Sequence, residues 1–313
     1  LDLNERFENR KLAARLQFLY GGWHASWVRP YAEAKEALRR SFTLARQNGD
    51  VAFEAYAATL SSIVTFCESS SVADVYETGT WARDVALSRG VREMAAVADA
   101  HARYGSALRT GDADLSLPGS SDGDFFASLN PRTPTGAAYY FFCRAELAYL
   151  HEDLPRAAEY LEEARKRSNV IEGHPTNVEL CLLETVIGAR VAVALPAPER
   201  SIAALGLNGN LRRLRGWAAN CPSNFAAHHL LGEAEAARAR GAAGDAVLYA
   251  GRAVTAARVH RSPKREALAL ELSARLARDE GNVAHARELR AEAAQAYRRW
   301  GAEAKARALE AEG

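Results

Sequence analysis

"AEAARARGAAGDAVLYAGRA" (residues 234–253) is followed, 40 residues on (274 − 234), by "ARLARDEGNVAHARELRAEA" (residues 274–293). The two align without a gap. Ala234, Gly241, Ala246 and Ala253 stand over Ala274, Gly281, Ala286 and Ala293. Small residues at fixed places have a physical reason: two helices of a hairpin cross closely only where side chains are small, and Gly suits the tight turn between them. The same frame fits "RAELAYLHEDLPRAAEYLEEARKR" (residues 144–167), with Ala145, Glu152 in the Gly place, Ala157, Leu161 and Ala164. Gly49 and Gly90 close two earlier second helices, 41 apart (90 − 49). One helical hairpin used repeatedly predicts an all-α solenoid.

The spacing within each unit resembles the tetratricopeptide consensus, with slightly longer helices. Breakers and apolar periodicity predict helices over 9–28, 31–48, 51–68, 72–89, 91–109, 136–151, 155–168, 175–194, 198–219, 223–240, 243–260, 263–280, 282–300 and 302–311. That is a right-handed superhelix of about six or seven helix pairs. Residues 1–109 form the N-terminal pairs and 136–313 the C-terminal pairs with a capping helix. Between them, 110–135 is an irregular connector rich in Gly, Pro, Ser and Asp, expected to be mobile, with a short helix around Phe125–Leu129. Ala302 is expected near an exposed terminal turn.

Composition sets bounds on function. Of 313 residues 48% are apolar and 25% charged, and the net charge is +1, so no global field favours nucleic acid or an acidic membrane. Cys67, Cys143, Cys181 and Cys221 lie far apart without a C-x-x-C, which fits a reducing cytoplasm better than zinc or a disulfide scaffold. Cys143 and Cys181 read as small core residues. The longest apolar run, "VIGARVAVALPA", is broken by Arg190 and ended by Pro196, so no membrane insertion is expected. The chain opens in mid-pattern, as a piece of something larger would.

Several stretches carry a family resemblance. "FAAHHLLGEAEAARARGAAGDAVLYAGRAVTAARVHRSPKREALALELSARLARDEGNVAHARELRAEAAQAYRRWGAEAKARALE" (225–310) resembles the end of the tetratricopeptide-like region of large bacterial multi-sensor kinases. Residues 3–57, 130–164 and 172–185 resemble earlier parts of the same region. The most specific element is the Tyr-x-x-Trp-Gly-Ala ending in "AYRRWGAEAKARALE". Those proteins join a Ser/Thr-kinase-like domain, a STAND-class ATPase, this helical region, a GAF domain and a histidine kinase. The resemblance implies a sensory or protein-interaction scaffold beside a nucleotide switch, partnered by other domains of the same polypeptide or by another signalling protein. A small-molecule or peptide receptor regulating the ATPase is the first alternative, and an independent helical enzyme the second.

Catalytic signatures do not appear. There is no G-x-x-x-x-G-K-[ST], H-R-D, D-F-G or H-E-x-x-H, and no cofactor or metal is expected. Asp112, Asp114, Asp122 and Asp124 miss calcium-loop spacing and read as a solvated acidic loop. The basic clusters at 211–217 and in "AYRRWG" read as Arg stems laid over apolar neighbours. For recognition, Tyr20, Trp23, His24 and Trp27 share a face of the first helix, and Tyr139, Tyr140 and Arg144 form a second aromatic cluster. Both would lie on first helices lining a concave groove. Leu12, Leu16, Phe18, Leu19 and Trp23 should form an apolar face that another repeat or domain covers.

Overall fold

The computed structural model describes residues 10–311, whose regular structure is helical apart from one isolated bridge between Leu117 and Ser120. Helix α1 runs as Arg10–Leu19, a π-helical stretch Tyr20–Ala25 and a last turn Ser26–Val28. Then come α2 (Tyr31–Gln47), α3 (Val51–Glu68), α4 (Val72–Ser88), α5 (Arg92–Thr110), α6 (Asp122–Ser128), α7 (Pro134–Leu150) and α8 (Leu154–Arg165). The second half holds α9 (Thr176–Val193), α10 (Ala197–Gly206), α11 (Asn208–Asn220), α12 (Pro222–Ala239), α13 (Ala243–Val259), α14 (Pro263–Asp279), α15 (Val283–Trp300) and α16 (Glu303–Ala311).

Neighbouring helices pack as antiparallel hairpins into a superhelix. The aligned small residues sit at the crossings: Ala234, Ala246, Ala253, Ala274, Ala286 and Ala293 are all buried. Gly281 turns α14 into α15 with φ +79°, a left-handed conformation that costs Gly little. Asn282 then caps α15 by accepting from the His285 amide at 3.2 Å. Glu152, in the same frame position, adopts φ +62° without being Gly. Its side chain has another task, described below.

Inner helices differ from outer ones. On α7, α12 and α14 buried residues run almost all the way round, whereas α13 and α15 bury one face. An open solenoid would leave the concave side of the inner helices in water. Here the superhelix closes on itself. Asn224, in the first turn of α12, donates to the carbonyls of Ser26 (2.8 Å) and Arg29 (2.9 Å) and accepts from the Tyr31 amide (3.2 Å). It thereby satisfies carbonyls that the end of α1 leaves unpaired. Trp27 packs beside Trp217 and Phe225, with ring centroids 5.8 and 5.7 Å away. From the C-terminal side, Trp300 donates its Nε1–H to Ser69 Oγ at 3.0 Å, and α16 packs on α5.

Three expectations change. The helix read over 198–219 is two, α10 and α11, meeting at Leu207. Ala302 is fully buried, because the last turn is pressed into the closing seam beside Val72 rather than left at an open end. The connector is pinned, not loose. Arg103, itself buried, donates to the Leu115 carbonyl (2.9 Å), the Ser120 carbonyl (3.1 Å) and Ser120 Oγ (2.6 Å), and its guanidinium lies 4.5 Å from the Phe125 ring centre. Leu115 and Phe125 are buried, so the segment fills the place that an outer helix takes elsewhere. Its short helix begins with a Ser121–Asp124 capping box.

Candidate functional site

Closure brings the polar side chains of the inner helices to the axis. Lys264, with no exposure, stands with Nζ 2.6 Å from Glu146 Oε1 and 3.7 Å from Glu179 Oε2. The same ammonium lies 5.1, 5.9 and 5.6 Å from the ring centres of Phe66, Tyr104 and Trp300. One cation therefore touches α3, α5, α7, α9 and α15. Arg265 pairs with Glu179, and His228 Nε2 lies 2.6 Å from the same carboxylate and 3.1 Å from Arg265 Nε. Burial alone would raise the Glu179 pKa, but Arg265, His228 and Lys264 together hold it well below the usual carboxylate range. His228 goes the other way: burial, then Arg265, pushes it down to about 4, so it is neutral at pH 7.

A second tier lies toward the C-terminal ends of α7 and α14. Arg275 reaches Glu235 (3.2 Å), Glu271 (3.3 Å) and Glu152 (3.4 Å). Lys305 sits 3.0 Å from Glu271, and Tyr297 donates to the other oxygen of that carboxylate at 2.6 Å. Arg190 grips both oxygens of Glu152. This explains the left-handed Glu152: Gly would relax the backbone there but would leave Arg190, Arg275 and Lys305 without their shared anion. Along the axis Glu146, Glu152, Glu179, Glu235 and Glu271 meet Arg190, Lys264, Arg265, Arg275 and Lys305, one cation for each carboxylate. The interior neutralises itself.

The aromatic residues singled out in the sequence are divided by the fold. Tyr20 donates to Glu33, whose acceptance of that proton, more than burial, raises the phenol pKa. His24 is exposed and leans on Tyr20 at 5.8 Å. Trp23, 38% exposed, meets His174 edge-on at 5.0 Å, and Tyr139 bonds the same imidazole through its hydroxyl at 3.3 Å. Trp27 donates to the neighbouring Gly173 carbonyl at 3.2 Å. Trp23, Trp27 and Tyr139 thus converge on residues 173–174, a meeting with no local sequence signal. Tyr140 and Arg144 are buried and serve the connector: Tyr140 donates to Asp122 (3.0 Å), and Arg144 holds Asp114 (2.6 Å), Asp122 (3.2 Å) and the Tyr160 hydroxyl (2.5 Å). The concave groove expected to display them is closed.

Nucleophiles and metals find little support. The four cysteines are buried free thiols, and burial raises the pKa of Cys67, Cys143 and Cys181, the last to about 12. Among the described residues, no group of His, Cys, Asp or Glu has the arrangement to hold a metal ion, and no helix is long and apolar enough to cross a membrane.

The larger spaces lie outside the ring. One groove of about 520 Å³ runs between α8 and α10–α11, floored by α9, and is lined by Leu161, Ile187, Val191 and Leu207 with Glu162, Arg165 and Glu184 at its rim. Beside it Val191, Leu195, Ile202 and Leu205 are exposed, Ile202 at 72%. A groove of about 360 Å³ occupies the corresponding place between α13 and α15, floored by α14. On the axis, the cavities found at the two tiers are small, about 20 and 70 Å³. No protein-family model matches the chain, and no curated protein matches it.

Proposed function

We propose that the chain is a non-catalytic sensory and protein-interaction module of a multidomain signalling ATPase or kinase, the kind of protein its sequence resembles, and that it takes its partner on the outer surface. The observation behind this reading is where the space lies. Small-molecule sites are cavities of roughly 300–1,000 Å³, and the axial cavities are far smaller. A small-molecule or peptide effector held inside would need the ring to open. The groove over α9 is different: it has an apolar floor, a charged rim and an exposed apolar ridge on α10 beside it. That combination suits the apolar face of a partner helix. On α1, Leu12, Leu19, Trp23 and Val28 are also exposed, next to Tyr20 and His24, and form a second surface for a neighbouring domain of the same polypeptide. Leu16 and Phe18 do not join it; Leu16 is half-buried, and Phe18 is buried against Trp23 and Phe53.

The test is a matched capture experiment with the wild type and an Ile202→Asp, Leu205→Asp variant. Both positions are exposed, so the variant should keep its helical signal and melting midpoint. The reading requires that it lose the partner domain or protein that the wild type retains. Undiminished capture by a folded variant would refute it.

A further inference from the structure

We propose that the connector between α5 and α7 is a displaceable strap, and that the cradle beneath it takes an acidic, aromatic peptide segment of a partner in the strap's place. The inference stands apart from the outer groove over α9. Of residues 111–133, Leu115 and Phe125 are the two that are buried, and the helix among them, α6, has seven residues. By contrast α15, an outer helix, buries Ala286, Ala293, Ala294, Ala296, Tyr297 and Trp300. A segment with so few buried apolar contacts opens more readily than the helices it lies on.

Charge holds the strap down. Arg144 on α7, its side chain 7% exposed, meets Asp114 at 2.6 Å and Asp122 at 3.2 Å. Tyr140, one turn earlier, donates to Asp122 at 3.0 Å. The Asp114 side chain is 59% exposed, so a carboxylate arriving from solvent can replace it without any helix moving. Arg103 holds the connector's backbone at the Leu115 and Ser120 carbonyls, but it also has Asp99 on its own helix at 2.8 Å. Arg144 is therefore the cation that loses its anions when the strap lifts. A guanidinium cannot shed its proton to escape that cost, so an incoming carboxylate is what makes lifting favourable.

The strap also shows what its replacement must look like. Phe126, 48% exposed, lies 5.1 Å from the Tyr140 ring centre and 5.7 Å from that of Phe141. Phe125 enters beneath, its ring centre 4.5 Å from the Arg103 guanidinium. Asp122 and the two rings that follow it three and four residues later thus share one face of a helical turn. A competing segment carries the same features: a carboxylate for Arg144 and Tyr140, then aromatic side chains one turn later. A basic or purely polar segment leaves Arg144 unpaired and is rejected.

The test uses the full chain and, as probe, a fluorescent peptide copying residues 112–129. Asp114→Asn, Asp122→Asn in the chain should loosen the strap and free the cradle. That variant should bind the peptide about tenfold more tightly than the wild type, since apparent affinity follows the open fraction. Adding Arg144→Gln to the chain should abolish the binding, as should the same two Asp→Asn changes in the peptide. Circular dichroism and melting establish that each variant is folded. If the loosened variant does not fold, hydrogen exchange of the wild type decides. Raising sodium chloride from about 0.05 to about 0.5 M screens the ion pairs. It should speed exchange of the amides of 112–129 while those of α5 and α7 stay protected. The proposal is overturned if the folded, loosened chain binds no more tightly than the wild type, or if Arg144→Gln retains the binding in full. Exchange of 112–129 only in step with α7 overturns it as well.

Discussion

His101, on α5, is sealed from solvent with Nδ1 3.1 Å from Ser62 Oγ, its ring stacked on Phe66 at 4.7 Å and edge-on to Tyr139 at 5.3 Å. No charge faces it, and burial alone pushes its pKa down to about 3 from 6.5. His174 and His228 are likewise held near 4, mainly by burial. The sign follows directly: between the folded and unfolded values only the unfolded chain binds the proton. The stability these groups carry is therefore whole above pH 6.5 and lost as the pH falls toward their folded values. Each such histidine contributes about 1.4 kcal/mol per pH unit in that window. We expect the melting midpoint to fall steadily below pH 6.5, and His101→Phe to flatten the fall by about one histidine's share. Melts from pH 7.5 to 4.5 check this, and parallel slopes in the two proteins would exclude it.

At the scale of the helix pair, small residues decide how close two axes come. Ala246, Ala286 and Ala302 are buried at crossings or in the closing seam. Ala→Leu at any of them should overpack the contact and cost about 1–3 kcal/mol, whereas Ala291→Leu, exposed on α15, should be close to neutral. Equal midpoints for all four variants in thermal melts would contradict this assignment of crossings. Elements of this kind were legible in the sequence because they are local: the 40-residue register of Ala and Gly lies within hairpins whose helices are sequence neighbours. Even the place of Glu152 could be read that way. The Leu207 break was legible too: Gly206, Asn208, Gly209 and Asn210 cluster around it, and a helix read through 198–219 passes over those breakers. The fate of Tyr140 and Arg144 was hidden. Their partners Asp114 and Asp122 lie in the connector, whose path depends on Arg103 drawing its carbonyls inward.

For the whole molecule, the consequential event is closure, and it rests on residues far apart in the chain. Trp27 meets Trp217 and Phe225, Asn224 caps α1, Trp300 reaches Ser69, and Lys264 links five helices across the axis. These meetings follow from the twist summed over all the repeats, which no local pattern states. The Tyr-x-x-Trp-Gly-Ala ending was visible as a signature, and closure gives it a structural meaning. Tyr297 holds Glu271, Trp300 spans the seam, and Gly301 turns at φ +99° beside Val72. Buried ion pairs on the axis contribute little net stability, because desolvation offsets much of their attraction, yet breaking one partner leaves a stranded charge. They fix which groups meet more than how tightly the ring is held. The direct measurement is small-angle X-ray scattering from the chain in solution. A closed ring of 313 residues should give a radius of gyration of about 20 Å and a compact pair-distance distribution. A radius well above that, with an extended distribution at low concentration, would show an open solenoid and contradict the account.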